Sequence, residues 1–328
     1  MRYRAPAPLG LLLVAATALL LIGGVAVGSL GWEPLWARAG GTSSAILWDI
    51  RLPRTIGAWL AGALLGLAGA VAQGLFRNPL ADPYLLGSAT GAALGVALLL
   101  VAIGISPVAA SGWAAHLGLT GAGFAGAVAA VLVTLGMAKG AQHTLRLLLA
   151  GVVVSMVFGA FSALVMFWVP DIMRSMQAFL LGTTGFLGWA SVAVLGVVFG
   201  LSLVAAVAFS RSLDALSLGE ITAMSLGVPL ARVRATLVAV MALATGAAVA
   251  QVGLIAFIGL VAPHLVRAAV KPTHRWLLPL AALAGGVLLL AADVLARWLL
   301  APQELPVGVL TAVLGGGYLL WLMHRRPL

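Results

Sequence analysis

The chain has no cysteine among its 328 residues, and only 8% of them carry a formal charge. The first absence removes disulfide frameworks, thiolate metal sites and cysteine nucleophiles. The second removes a soluble fold, because 63% of the residues are apolar and too few charges remain to clothe the helices of a globular domain. Acids are scarcer still, eight against eighteen Lys and Arg, for a net charge of +10. The basic residues are scattered at the ends of apolar runs instead of forming a stripe with interleaved aromatics, so the charge reads as membrane topology and not as nucleic-acid binding. No phosphate-binding GxxxxGK[ST] stretch occurs anywhere.

What is there is a series of apolar runs near or beyond the roughly twenty residues that span a bilayer core. Bounded by charge, proline or glycine, they predict spans at about 9–31, 55–76, 84–105, 117–137, 145–169, 187–209, 276–300 and 306–323. The stretch 235–270 is too long for one crossing. Arg232 and Arg234 precede it and Arg267 and Lys271 close it, so its ends share a side and it holds two spans, near 235–251 and 253–270. The expected fold is an all-α polytopic bundle of about ten transmembrane helices, one permease domain over residues 1–328. The first run is too long for a signal-peptide core and Gly28-Ser29-Leu30-Gly31-Trp32 is a poor cleavage site, which predicts an uncleaved first span.

Positive charge sets the orientation. With both termini cytoplasmic, Arg2, Arg4, Arg77, Lys139, Arg146, Arg211, Arg232, Arg234, Arg267, Lys271, Arg275, Arg325 and Arg326 lie inside, and Arg38, Arg51, Arg54, Arg174 and Arg297 outside. Thirteen against five is the asymmetry the positive-inside rule requires.

The span centres are almost bare of ionisable groups, where an ion-driven carrier needs them. Asp293 and Arg297 stand four apart on one helical face, which fits a mutually neutralising pair better than a proton relay. Gln73 and Gln251 are the most interior polar side chains, suited to bonding between helices. Each ends an Ala-Val-Ala-Gln stretch, 70–73 and 248–251, five crossings apart, the offset of an inverted repeat. His116, His143, His264, His274 and His324 share no ligand spacing, and no catalytic constellation or metal site is expected. Small residues crowd 62–69 and 121–126 at spacings that let helices approach closely.

Three polar interruptions are candidates for function. Arg77-Asn78-Pro79-Leu80-Ala81-Asp82-Pro83 is a cytoplasmic corner whose two prolines forbid a continuous helix; alone, it reads as a well-made turn. The segment of about 210–234 is the longest cytoplasmic connection. Ser217 and Glu220 fit a capping box, Gly227 a helix stop and Pro229 the start of a second short helix, so it predicts a compact knob offering Leu218, Ile221 and Leu226. Outside, residues of about 171–181 predict a short amphipathic helix started by Pro170 and Asp171 and ended by Gly182, with Met173, Met176 and Phe179 on one face. It caps the outer mouth of a path, or lies in the lipid headgroups.

Taken in order, Arg51-Leu52-Pro53-Arg54, Gln73 with Arg77 to Pro83, Leu218-Gly219-Glu220 with Ala223, Leu226 and Gly227, Phe257 to His264, His274-Arg275 before Leu277-Leu278-Pro279, and Glu304 to Gly308 resemble the FecCD family. These are permease subunits of ABC importers for iron siderophores, haem and cobalamin. The resemblance implies an inner-membrane homodimer, two cytoplasmic ATPase subunits that carry the ATP and Mg, and a periplasmic binding protein. It implies no cofactor in this chain and no enzymatic activity of its own. It makes Leu218, Gly219, Glu220, Ala223, Leu226 and Gly227 the ATPase-coupling surface, Arg51, Arg54 and Arg297 the outer arginines that meet the binding protein, and the helix with Met173, Arg174, Met176 and Phe179 the outer gate. Arg174 would suit a carboxylate-bearing chelate such as haem.

Overall fold

The structure is a computed structural model that describes residues 5–28, 31–32, 45–103, 113–138 and 144–325. The expectations that rest on Arg2, Arg4, Ser29, Leu30, Arg38, Lys139, His143, Arg326 and the side chains of His116 and Arg325 lie outside the described residues.

Helix α1 (Pro6–Ala26) ends in a two-residue antiparallel pairing of β1 (Val27–Gly28) with β2 (Gly31–Trp32). A π-helical turn (Ile46–Arg51) runs straight into α2 (Leu52–Leu75). After a 3₁₀ turn (Pro83–Leu86) come α3 (Ser88–Ile103), α4 (Trp113–Met137), α5 (Thr144–Trp168), the short α6 (Met173–Leu181) and α7 (Trp189–Ala208). Two short helices follow, α8 (Ser210–Ser217) and α9 (Glu220–Ser225). Then come α10 (Leu230–Val252), α11 (Ile258–Ala269), α12 (His274–Trp298) and α13 (Val307–Arg325). Among the described residues, eight helical stretches are long and apolar enough to cross a membrane, and α3 and α11 are shorter apolar helices. Each overlaps one of the expected runs, and eight of them have the length of a crossing.

The lengths differ from expectation for identifiable reasons. The second span begins at Ile46, not 55, because Arg54 is neutralised inside the bundle and does not end the helix. Helix α10 likewise begins before Arg234, which is buried against an acid. The run 235–270 does divide, but its second helix starts only at Ile258. The five residues between are opened by Gly253 at φ +69° and closed by Phe257 at φ +68°. Both Ala-Val-Ala-Gln stretches sit near the end of a long helix that is followed by a non-helical segment and a shorter helix.

Helix α2 is the hub, packed against α7, α10, α11 and α12. Its glycines make this possible: at Gly62 and Gly66 a methyl group would overlap the α12 carbonyls of Gly285 and Ala281, and at Gly69 the α11 carbonyl of Gly259. That last carbonyl is special, since Pro263 four residues on has no N–H to give it. The apolar core follows α2 in two connected halves, while large residues such as Leu145, Met156, Phe167 and Val204 point outward from the peripheral helices. With no water in hydrocarbon to satisfy open backbone, helices that bond internally and expose Leu, Val and Phe are the form such a sequence must take.

Candidate functional site

One end of the bundle gathers α8, α9, the 77–87 corner and the first residues of α10 and α12. The knob expected at 210–234 is present, built differently from the prediction. Ser217 is the last residue of α8 and its hydroxyl donates back to the Asp214 carbonyl (2.6 Å), so it caps nothing in α9. Gly219, at φ +114°, takes the cap position, a conformation closed to residues with a Cβ. Pro229 caps the long α10 and opens no second short helix. The two short helices are therefore α8 and α9, hinged at Gly219 and stopped by Gly227 at φ +80°.

The knob divides its side chains by chemistry. Leu213, Leu216 and Ala223 are buried and hold it to the bundle, while Leu218 (67% exposed), Ile221 (81%), Met224 (55%) and Leu226 (63%) form an open apolar face. Glu220 turns inward to Arg234 of α10 (2.5 Å). Asp214 accepts from the backbone N–H of His274 (3.0 Å) and meets its Nδ1 (2.7 Å), which stabilises the positive end of α12.

The corner lies beside the knob, with the Arg77 guanidinium near Gly219. Arg77, Asn78 and Pro79 are exposed, and the Asn78 side chain accepts from Leu80 N–H (2.9 Å). From Ala81 the chain turns inward. Asp82 caps the 3₁₀ turn by accepting from Tyr84 N–H (2.8 Å), and burial pushes its carboxyl above the usual range. Pro83 packs on Gly259, Leu85 on Gly151, and the Tyr84 hydroxyl donates to the Ile255 carbonyl (3.1 Å) in the break before α11. The segment is thus a re-entrant wedge as well as a turn, which explains why α3 is short.

The opposite end holds a buried charge cluster. Asp293 of α12 is fully buried and receives Arg54 through Nε (3.2 Å) and Nη2 (3.1 Å), Arg297 through Nη2 (2.6 Å) and the Thr184 hydroxyl (2.5 Å). Arg54 also forks onto Glu304 (3.1 and 2.9 Å), and Arg297 donates to the Gly24 and Val27 carbonyls (2.8 Å each). The expected Asp293–Arg297 pair is there. The expectation that Arg54 and Arg297 face a binding protein is corrected: at 9% and 2% exposure they clamp α1, α2 and α12 together and present no rim. Arg51, half-buried, donates to the Val25 carbonyl (3.3 Å) and sits nearer the surface. Beside it Trp48 stacks at 5.2 Å on Trp189, whose indole donates to the Trp48 carbonyl (3.0 Å).

The short helix predicted at about 171–181 is α6, begun by the Pro170–Ile172 turn and ended by Gly182 at φ +70°, as expected. Its three expected apolar residues differ in burial. Met176 is fully buried in a cluster with Ala93, Val96, Ala97 and Leu100 of α3, Phe179 is half-buried, and Met173 and Arg174 are exposed. The Phe179 carbonyl accepts from Leu254 N–H (3.1 Å), and Thr183 N–H donates to the Val252 carbonyl (2.9 Å), tying α6 to the break before α11. The wedge from the knob end and α6 from the opposite end thus grip the same five residues.

Sequence reading missed four partnerships: Arg54 with Asp293, Glu220 with Arg234, Asp214 with His274, and Gln73 with Arg267. Gln73 does bond between helices, donating to the Leu260 carbonyl (3.2 Å) while its own carbonyl accepts from Arg267. Gln251 does not behave alike, since its buried side-chain carbonyl has no partner among the described residues. The signal for the ion pairs was the cost of lone charges beside apolar runs, which names the residues but not the mates.

Residues 11–325 match the model of the FecCD transport family. The hemin transport system permease HmuU of Yersinia pestis is 40% identical over 97% of this chain and 95% of its own length. The vitamin B12 import permease BtuC of Salmonella typhimurium is 40% identical over 97% and 94%. A solved inward-facing ABC transporter of metal-chelate type superposes with a TM-score of 0.83 at 29% identity, over 96% of this chain and 99% of that one.

Proposed function

From the premise that this chain belongs to the FecCD transport family, as the transmembrane permease of an ABC importer in the bacterial inner membrane, we propose that it carries an iron chelate, haem or a ferric siderophore, into the cytoplasm by alternating access. In this reading ten helices cross the membrane, with α3 and α11 as shortened crossings completed by the wedge and the break, and both termini are cytoplasmic. Two copies enclose the path. Two separate ATPase subunits bind ATP and Mg and grip the α8–α9 knobs, and a periplasmic binding protein delivers the chelate to the outer face, with Arg51 near that rim. Rim charges there would set orientation and association rate more than affinity.

The open apolar face of Leu218, Ile221, Met224 and Leu226 carries the reading. Four large side chains exposed on a short capped knob at the most basic end of the protein are poorly suited to solvent and well suited to a cleft on a partner. Arg174, exposed on α6, supports a cargo with carboxylates. A cobalamin cargo is the second reading, favoured by the equal identity to the vitamin B12 permease. Vesicles carrying the permease with its ATPase and binding protein, supplied with labelled haem, ferric siderophore or cobalamin, decide between them. The proposal expects haem or siderophore uptake, and cobalamin uptake alone would replace it with the second reading.

A further inference from the structure

The knob's outward residues are apolar, yet its two acids both face the bundle. Glu220 of α9 meets Arg234, 3% exposed in its side chain, and Asp214 of α8 meets His274 at the first turn of α12. We propose that these two pairs are positioning links that carry movement of the knob into α10 and α12, so that Glu220 serves coupling from the inner side of the knob and not by touching the ATPase.

Three observations carry this. Helix α9 has six residues, too few to be stable alone, with left-handed glycines at both ends that let it pivot. Its attachments include the buried Ala223 and the Glu220–Arg234 pair. Helices α10 and α12 are both packed on α2, and both run from the knob to the opposite end, α12 into the Asp293 cluster and α10 into the break gripped by α6. A partner closing on the apolar face would turn α9 about its glycines, and charge-assisted bonds are the strongest contacts available to transmit that turn. For the pairs to couple the two ends, the knob and the helices tied to it must each take two positions, which the test below probes.

The inference rests on the ATP-driven reading, and its test separates the two. The permease is reconstituted with its ATPase and binding protein, and ATP hydrolysis and chelate uptake are measured in the same vesicles. Arg234→Met and Asp214→Asn should leave hydrolysis within about twofold and lower uptake per ATP roughly tenfold, and the exchange Glu220→Arg with Arg234→Glu should recover most of the Arg234→Met loss. Because the chain lacks cysteine, Glu220→Cys with Arg234→Cys can be joined by a short thiol-reactive cross-linker, and joining should raise uptake per ATP in that same folded protein. Unchanged uptake per ATP in both single variants, or no gain on joining, overturns the proposal. If the unaltered complex neither hydrolyses ATP nor imports, the ATP-driven reading itself has failed.

Discussion

Replacing Asp293 by alanine removes a carboxylate shared by two guanidinium groups and strands one of them. Asp293 is fully buried and Arg297 is 2% exposed, so water cannot take over the lost bonds. Arg54 keeps its fork onto Glu304, and Arg297 keeps backbone carbonyls alone, those of Gly24, Val27 and residue 293 itself, leaving one buried charge without a counter-charge. Breaking a buried pair in this way costs about 3–5 kcal/mol, roughly two to four decades in the unfolding equilibrium. Asp293→Leu combined with Arg297→Met removes both charges and should cost much less than the sum of Asp293→Leu and Arg297→Met taken alone. The assay is unfolding of the purified permease in mixed micelles by increasing SDS, followed through its tryptophan fluorescence. A cost below about 1 kcal/mol for Asp293→Ala, or strict additivity in the double variant, would refute the view that this cluster clamps α1, α2 and α12.

Three further outcomes follow from other parts of the molecule. Ile221→Asp and Leu218→Asp should each weaken capture of the ATPase roughly tenfold or more in pull-down while leaving the permease's own unfolding within about 0.5 kcal/mol, because neither side chain packs inward. Gly69→Ala should destabilise by about 1–3 kcal/mol through its collision with the Gly259 carbonyl, whereas Gly317→Ala, with open space around it, should be neutral or slightly stabilising. Tyr84→Phe should cost about 1 kcal/mol and speed amide exchange at Leu254 to Phe257, the segment its hydroxyl holds.

The long helices were legible because hydrocarbon leaves the backbone no alternative to internal bonding, so apolar length alone located them, while α6 and the α8–α9 knob left only cap, glycine and amphipathic signals. Boundaries failed where charge was read as solvent-facing. Arg54 and Arg234 look like span ends in one dimension and are interior in three, since their acids stand 239 residues away in one case and on a separate short helix in the other. The knob was visible through Gly219, Gly227 and its leucines, but its capping was misassigned because Ser217 and Glu220 satisfy the spacing of a capping box while Gly219 interrupts the geometry. The wedge at Pro83–Leu86 left a trace in two prolines and an aspartate, yet its depth depends on Gly259 and Gly151, which no local pattern connects to it.

As proposed, the permease is a conduit driven through its knob by a separate ATPase. The most direct measurement is chelate uptake into vesicles holding the permease alone or with the ATPase and binding protein, with ATP present or absent and with ion gradients imposed or collapsed. Accumulation is expected only in the complete system with ATP, unaffected by ionophores. Accumulation by the permease alone, driven by a proton or sodium gradient, would contradict it.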